Sequence, residues 1–269
     1  MKSSYYKYFA ALLLFGSNGI VASNINLPSY EIVLLRLLLG SLFLITVFTV
    51  SRQRFTFYRN KHTCLYLFIS ASAMGASWML LYEAYQQVGI SIASLAYYCG
   101  PVIVMILSPF LFRETLTWPK IAGFLTVLAG MCLVNLQALD EGKTIWGLFC
   151  GLMSAFMYAL MVTANKKAKP ESGLENSLLQ LVIGSFIVVA FVSMQKNFVL
   201  SLTTIDWIPV LLLGLLNTGI GCYLYFSSIT DLPVQTVAIC GYLEPLSAVV
   251  FSVLFLHEVL LPLQMLGAV

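Results

Sequence analysis

Long runs of uncharged, mostly apolar residues recur along this sequence and constrain its fold more than any other feature. Only 9% of the 269 residues are charged, against roughly 25% in an average soluble domain. A helix of about 20 such residues crosses the apolar core of a bilayer. Strands of a membrane barrel would instead alternate apolar and polar residues. The sequence therefore predicts an all-α polytopic membrane protein.

The apolar runs divide the chain into nine predicted spans. They cover residues 6–24, 31–50, 63–86, 91–111, 118–138, 144–165, 175–194, 207–229 and 234–256. A tenth span is expected to begin near Pro262 and to be incomplete at Val269. The N-terminal stretch, with Lys2 and Lys7 ahead of an apolar run, also resembles a secretory signal. Because further spans follow, we interpret it as an uncleaved first helix.

The basic residues are distributed unevenly between the predicted loops. With a cytoplasmic N-terminus, one side of the membrane collects eleven Lys and Arg residues and the other receives only Lys143 and Lys196. This bias predicts that the first side is cytoplasmic and that the protein resides in the inner membrane. The net charge of +3 is thus explained by topology, and it indicates no nucleic-acid partner.

The two halves of the sequence repeat one another. Sliding the chain by 144 residues, without a gap, aligns scarce residue types: Glu31 with Glu175, Ser41 with Ser185, Gly75 with Gly219, Tyr98 with Tyr242, Pro101 with Pro245 and Glu114 with Glu258. Each half then holds five helices, and an odd number makes the second half enter the membrane from the opposite side. Inverted repeats recur among secondary transporters, whose substrate site lies near the midplane between the halves.

Several short motifs resemble those of a known family. They are FGSN at 15–18, LRLLLG at 35–40, LEP at 243–245, and the paired segments PVIVMILSPFLFRETLTWPKIAG at 101–123 and PLSAVVFSVLFLHEVLLPLQMLG at 245–267. The chain resembles the EamA-like branch of the drug/metabolite transporter superfamily. The resemblance implies ten helices in two inverted repeats, here 1–139 and 144–269, with the last helix incomplete. It also implies a central cavity and export of amino acids or other small metabolites.

Glu244 is the acid that lies deepest in a predicted span, and Pro245 follows it directly. Ionisable residues at bilayer depth usually face a cavity or a partner, because an unpaired charge there costs several kcal/mol. Two interpretations stay open. Glu244 either bonds backbone or hydroxyl groups that Pro245 frees, or it lines a cavity where it titrates or contacts substrate. Pro101 and Pro245 are both expected to bend their helices. The repeat favours the second interpretation, because Gly100 stands at the mirror position.

Arg36 is the only basic residue well inside a predicted span, and Gln180 is its repeat partner. One interpretation is an ion pair with Glu83, or a side chain that extends to the interface. The other is recognition of a substrate carboxylate, for which the planar guanidinium is suited. Arg36 is therefore a candidate substrate-binding residue whose partner the sequence leaves open.

Aromatic and amide side chains complete the candidate substrate site. Trp78, Tyr82 and Tyr85 share one helical face, a pattern also typical of packing or of an interfacial belt. Tyr97 and Tyr98 precede Gly100-Pro101 and are better placed for the midplane. Asn18 and Asn217 either line the cavity or bond across helices. The small residues Gly147, Gly151, Ala155 and Ala159 predict close helix packing along the sixth span.

Catalytic signatures are missing from the sequence. It contains two histidines, both at span ends, and no GxSxG, HExxH or GxxxxGK[ST] motif. The six cysteines form no CxxC pair, so we expect neither a metal nor a cofactor. We predict a secondary transporter of small molecules, foremost amino acids, that works in the lipid bilayer as a monomer or weak homo-oligomer. The alternatives are a drug or cation efflux carrier and, in a different class, a non-transporting sensor or scaffold.

Overall fold

The computed structural model describes residues 2–135, 145–194 and 207–256, which form helices and contain no strand. The helices are α1 (Lys2–Gly16), α2 (Asn18–Ala22), α3 (Ser29–Val50), α4 (Lys61–Tyr97), α5 (Cys99–Phe112), α6 (Trp118–Asn135), α7 (Ile145–Ala168), α8 (Gly173–Ser193), α9 (Trp207–Leu211), α10 (Gly221–Ser228), α11 (Val234–Cys240) and α12 (Leu243–Leu256). A 3₁₀ turn spans Phe57–Arg59, and a π-helical segment at Leu212–Ile220 joins α9 to α10. The predicted tenth span lies outside the described residues.

Seven stretches of the described chain are long and apolar enough to cross a membrane. They are Tyr30–Val50, Lys61–Gly89, Ile92–Phe112, Ile145–Ala168, Gly173–Ser193, Trp207–Ser228 and Val234–Phe255. These stretches correspond to predicted spans two, three, four, six, seven, eight and nine. The prediction of an all-helical polytopic membrane protein is confirmed.

The first predicted span is not one continuous helix. The chain leaves α1 after Gly16, makes a turn at Ser17, and resumes as the short α2. The cause lies far away in sequence, because the side-chain amide of Asn217 donates to the Leu14 carbonyl at 2.8 Å and to the Ser17 hydroxyl at 2.9 Å. A side chain inserted into the backbone hydrogen-bond ladder interrupts a helix in this way.

The predicted fourth and ninth spans are also interrupted. α4 is kinked at Gly89, whose φ of 80° lies in the region that glycine adopts most readily. Helix α4 ends at Tyr97 and α5 begins at Cys99, while α11 ends at Cys240 and α12 begins at Leu243. In both cases the proline that was expected to cause the bend lies in the first turn of the following helix, where the missing N–H is tolerated.

Small residues allow the central helices to approach one another closely. A Cβ atom at Gly75 in α4 would lie 2.9 Å from the carbonyl oxygen of Gly184 in α8. A Cβ atom at Gly151 in α7 would lie 2.8 Å from the Cβ atom of Ala96. The small-residue stripe of the sixth span therefore packs against α4, as its spacing predicted. Helices α3 and α8 meet where the hydroxyl oxygens of Ser41 and Ser185 are 3.0 Å apart.

Candidate functional site

The two helix interruptions at Tyr98 and Tyr242 are joined by a hydrogen bond. The Tyr242 hydroxyl donates to the backbone carbonyl of Tyr98 at 2.8 Å. Tyr242 is 5% exposed, whereas Tyr98 is half-buried. Because Tyr98 and Glu244 are each within two residues of these connected breaks, both predicted site residues belong to the same region of the protein.

Glu244 lies in the first turn of α12, directly before Pro245. The carbonyl of Gly241, for which proline supplies no N–H, accepts instead from the Glu244 N–H at 3.2 Å. The Ser247 hydroxyl donates to the Glu244 backbone carbonyl at 2.8 Å. Within the described ranges, no side chain or backbone group forms a hydrogen bond with the carboxylate, which is half-buried. The polar groups at the break are therefore satisfied without it.

The break that carries Glu244 packs against the first half of the sequence. Before the break, the Tyr8 hydroxyl of α1 donates to the Val237 carbonyl at 2.7 Å. At the break, the Tyr242 hydroxyl reaches the Tyr98 carbonyl between α4 and α5. Glu244 therefore lies in a segment of the second half that is bonded to the first.

Arg36 is held by a hydroxyl group and an aromatic ring. It is 7% exposed, and its Nε donates to Thr218 Oγ1 at 2.9 Å. The guanidinium carbon lies 4.6 Å from the centre of the Trp78 ring, a distance at which a cation is attracted to the ring face. Among the described residues Arg36 forms no ion pair with Glu83, whose carboxylate accepts from Trp146 Nε1 at 3.3 Å.

The π-helical segment Leu212–Ile220 presents two polar side chains to different neighbours. Asn217 is 1% exposed and also donates to Asn18 Oδ1 at 3.0 Å, so the two predicted asparagines bond across helices. The adjacent Thr218, which accepts from Arg36, donates its own hydroxyl to the Leu213 carbonyl at 2.8 Å. Segments of π-helix occur frequently at functional sites. This one joins the interruption of the first helix to the candidate substrate site.

The predicted aromatic stripe of α4 divides between two environments. Trp78 stacks on Arg36, as described above. Tyr82 and Tyr85 contact each other edge to face, with ring centres 5.2 Å apart. All three side chains are half-buried. The structure therefore places Trp78 in direct contact with another candidate residue, while a substrate-facing role for Tyr82 stays a prediction.

Two further aromatic residues near the helix interruptions, Tyr8 and Tyr158, were missed by the sequence analysis. The rings of Tyr97 and Tyr158 lie 5.5 Å apart, and those of Tyr8 and Tyr225 lie 5.6 Å apart. The hydroxyl oxygens of Tyr158 and Tyr225 are 3.4 Å apart. Each ring pair joins the first half of the sequence to the second. No local pattern in the sequence reveals these contacts, because the partners are far apart along the chain.

A buried amide network was also missed. Asn165 and Asn176 exchange hydrogen bonds of 2.9 and 3.1 Å, and Asn176 donates to the Phe226 carbonyl at 3.0 Å. Gln180, the repeat partner of Arg36, is fully buried and accepts from the Ser70 hydroxyl at 3.2 Å. The sequence signal for this network was the presence of uncharged polar residues in mostly apolar spans. The two repeat partners thus have different roles. Gln180 belongs to the buried amide network, whereas Arg36 bonds Thr218 in the π-helical segment.

One end of the bundle is tied together by carboxylates. We call it the basic end, because it holds the loops 51–60, 113–117 and 169–172, which carry Arg and Lys residues. Glu175 at the start of α8 accepts from the backbone N–H groups of Thr56 at 2.6 Å and Phe57 at 3.0 Å. Its second oxygen accepts from the Thr56 hydroxyl at 2.6 Å. Glu175 therefore joins the second half of the sequence to the first at this end.

Glu114 makes a related contact at the basic end. Its two carboxylate oxygens accept from the backbone N–H groups of Val234 at 2.7 Å and Gln235 at 3.0 Å, in the first turn of α11. Glu114 therefore caps a helix of the other half. The Ser4 hydroxyl also crosses between the halves, donating to Asp231 at 2.8 Å. These contacts join the two halves of the sequence at the basic end.

The chemistry that this site can perform is recognition of charged and aromatic groups. It brings one carboxylate, one guanidinium and several aromatic rings together from both halves. In the described parts of the chain, no group of three or more His, Cys, Asp or Glu side chains is placed to hold a metal ion. The residues are suited to binding a small molecule that carries opposite charges.

Comparison with known proteins identifies similar transporters. The model of the EamA-like transporter family matches residues 3–136 and 145–269. The chain is 27% identical over 256 residues to the uncharacterized transporter YxxF of Bacillus subtilis, with 93% of this chain and 80% of the relative covered. It is also 27% identical over 234 residues to the threonine/homoserine exporter RhtA of Escherichia coli, with 87% and 76% covered.

A solved crystal structure has the same fold. It superposes with a TM-score of 0.84 at 16% sequence identity and covers 99% of this chain and 93% of the solved chain. Its identity is too low to indicate more than the fold. The two ranges that the family model matches together cover most of the sequence. The chain belongs to the EamA-like transporter family and is an integral membrane transporter, not an enzyme.

Proposed function

We propose that this protein is a secondary transporter that exports small metabolites, foremost amino acids, across the plasma membrane. The observation that carries the proposal is the arrangement of Arg36 and Glu244. They are ionisable residues inside membrane-spanning stretches of opposite halves, and among the described residues they form no ion pair with each other, since Arg36 bonds Thr218 instead. An amino acid carries both a carboxylate, which suits the guanidinium, and an ammonium group, which suits Glu244.

The named relative supports this substrate class. The Escherichia coli protein is described as a threonine/homoserine exporter and is 27% identical over 87% of this chain. Threonine and homoserine each carry an ammonium group, a carboxylate and a hydroxyl. Thr218 and the tyrosine hydroxyl groups near Glu244 add partners suited to such a molecule. The similarity favours amino acids over other metabolites.

Alternating access by two inverted five-helix halves is the mechanism we propose. Contacts between residues 144 positions apart support it, because a residue touches its own repeat partner only near the axis that relates the halves. Ser41 meets Ser185 at 3.0 Å, and Tyr242 meets Tyr98 at 2.8 Å. The basic end would be cytoplasmic by the distribution of Lys and Arg. In the present state the two halves are hydrogen-bonded to each other at this end.

A drug or cation efflux carrier is the second candidate. The tyrosines around Glu244 favour it, since aromatic rings and a carboxylate attract an organic cation. In this second candidate, unlike the first, Arg36 does not contact the substrate. A sensor or scaffold, the candidate from a different class, would produce no substrate-dependent flux.

Flux into or out of proteoliposomes tests these candidates. The purified protein is reconstituted, and uptake of radiolabelled threonine is compared with that of its 2-hydroxy acid analogue, which lacks the ammonium group, and of its decarboxylated amine. The proposal expects threonine to be transported fastest. Faster transport of the amine would favour the cation carrier. Absence of flux for the whole panel, with protein correctly folded, would contradict amino-acid export.

A further inference from the structure

The bond between Tyr242 and Tyr98 has an unusual relation to the sequence repeat. The two residues are 144 positions apart, which is the repeat offset, so each is the repeat partner of the other. Both stand where a membrane-spanning stretch is interrupted. The bond itself is unsymmetrical, because Tyr242 contributes its hydroxyl and Tyr98 contributes its backbone carbonyl. None of the described residues accepts a hydrogen bond from the Tyr98 hydroxyl.

Inverted repeats allow the contacts of a second state to be derived from those of the first. If the halves exchange conformations, a contact between residues i and j becomes one between their repeat partners. Most contacts then move to different residues. The contact of Arg36 with Thr218 maps onto Gln180 and Met74, and the thioether of Met74 cannot replace the Thr218 hydroxyl. The bond between the tyrosines maps onto the same two residues, but with donor and acceptor exchanged.

We propose that Tyr98 and Tyr242 exchange donor and acceptor roles during transport, so that each state is stabilised by a different hydroxyl. In the present state, in which carboxylates join the halves at the basic end, the Tyr242 hydroxyl donates to the Tyr98 carbonyl. In the opposite state the Tyr98 hydroxyl donates to the Tyr242 carbonyl. The inference rests on the inverted halves of the proposed function and adds a residue-level device that sets the balance between its two states.

The contact between Ser41 and Ser185 provides a comparison. It also joins repeat partners, but through two hydroxyl groups, either of which can donate. Exchange of the halves leaves this contact chemically unchanged. It is therefore expected to persist in both states and to favour neither, while the tyrosine bond distinguishes them.

Removal of one hydroxyl at a time tests the exchange. Tyr242→Phe deletes the donor of the present state, and Tyr98→Phe deletes the donor of the opposite state, while both keep the ring. Loss of one hydrogen bond is expected to change the ratio of the two states by about fivefold, in opposite directions for the two variants. Tyr6, which is 74% exposed, supplies a matched control as Tyr6→Phe.

Hydrogen–deuterium exchange in lipid nanodiscs reports the balance directly. The relevant amides are those of Thr56, Phe57, Val234 and Gln235, each of which donates to a carboxylate at the basic end. We expect them to exchange about fivefold faster in Tyr242→Phe and about fivefold slower in Tyr98→Phe. Tyr6→Phe should match the parent, and the double variant should return toward it.

The outcomes separate the inference from its alternatives. Changes in the same direction for both tyrosines, or a change for Tyr242→Phe alone, would overturn the exchange and leave an ordinary structural bond. The readout needs no substrate. Opposite changes without any flux would thus retain the exchange and contradict the proposed transport, whereas flux without opposite changes would retain the transport and contradict the exchange.

Discussion

Replacement of Arg36 should weaken transport of substrates that carry a carboxylate. Arg36→Lys keeps the positive charge but loses the planar guanidinium that can bond a carboxylate through two nitrogens. Arg36→Gln copies the repeat partner Gln180 and removes the charge as well. The guanidinium is already oriented by Thr218 and Trp78, so its unused nitrogens are available in a defined position.

The expected magnitude follows from the contacts that each variant loses. A hydrogen bond to a charged group contributes about 1.5–3 kcal/mol, and about 1.4 kcal/mol corresponds to a factor of ten in affinity. Arg36→Lys should therefore lower the apparent affinity for an amino acid about tenfold. Arg36→Gln, which loses both the planar guanidinium and the charge, should lower the apparent affinity about a hundredfold.

Proteoliposome flux with two matched substrates measures the effect. An amino acid is compared with its decarboxylated amine, because the amine has no group for Arg36 to bind. Flux of the amine should change little in either variant, and the melting temperature of the purified protein is recorded as a control. Equal losses for both substrates, accompanied by a lower melting temperature, would refute substrate recognition and assign Arg36 a structural role.

Three further predictions concern other parts of the molecule. Glu244→Gln, which fixes a neutral side chain of the same shape, should fold normally and abolish the pH dependence of flux; an unchanged pH profile in liposomes would leave Glu244 without a role in coupling. Gly75→Ala should destabilise the protein by about 1–3 kcal/mol, because its Cβ atom would lie 2.9 Å from the Gly184 carbonyl oxygen. Gly123→Ala, where nothing lies within 4 Å of the added Cβ atom, should leave stability unchanged. Thermal unfolding in detergent compares the two variants, and equal stability would contradict the prediction. Cysteines introduced at Arg54 and Lys169 should resist a membrane-impermeant reagent applied to intact cells, and labelling of either would contradict a cytoplasmic basic end.

Helix positions were predictable because apolar length is a local property. The predicted spans 31–50, 144–165 and 175–194 correspond to α3 (Ser29–Val50), α7 (Ile145–Ala168) and α8 (Gly173–Ser193). The interruption at Ser17 was not predictable, since its cause is Asn217, 200 residues away. Local composition predicts which segments cross the bilayer. It does not predict which distant side chain forms hydrogen bonds with the backbone of a helix.

The candidate site was predictable only in its charged members. Glu244 and Arg36 are conspicuous because ionisable residues are rare at membrane depth. Their partners required the fold. Glu83 lies at a similar predicted depth to Arg36, yet it bonds Trp146, because depth along the membrane normal does not specify which helices are neighbours. The rings of Tyr97 and Tyr158 meet across the halves and have no signature in either segment alone.

Glu114 bonds the backbone N–H groups of Val234 and Gln235, not their side chains. Every residue except proline supplies the same N–H, so substitution on the α11 side does not by itself demand a compensating change in the acid. We therefore expect the acid and its partners to vary independently during evolution. Contact maps inferred from covarying positions would then miss this connection between the halves, although the atoms involved lie only 2.7 Å apart.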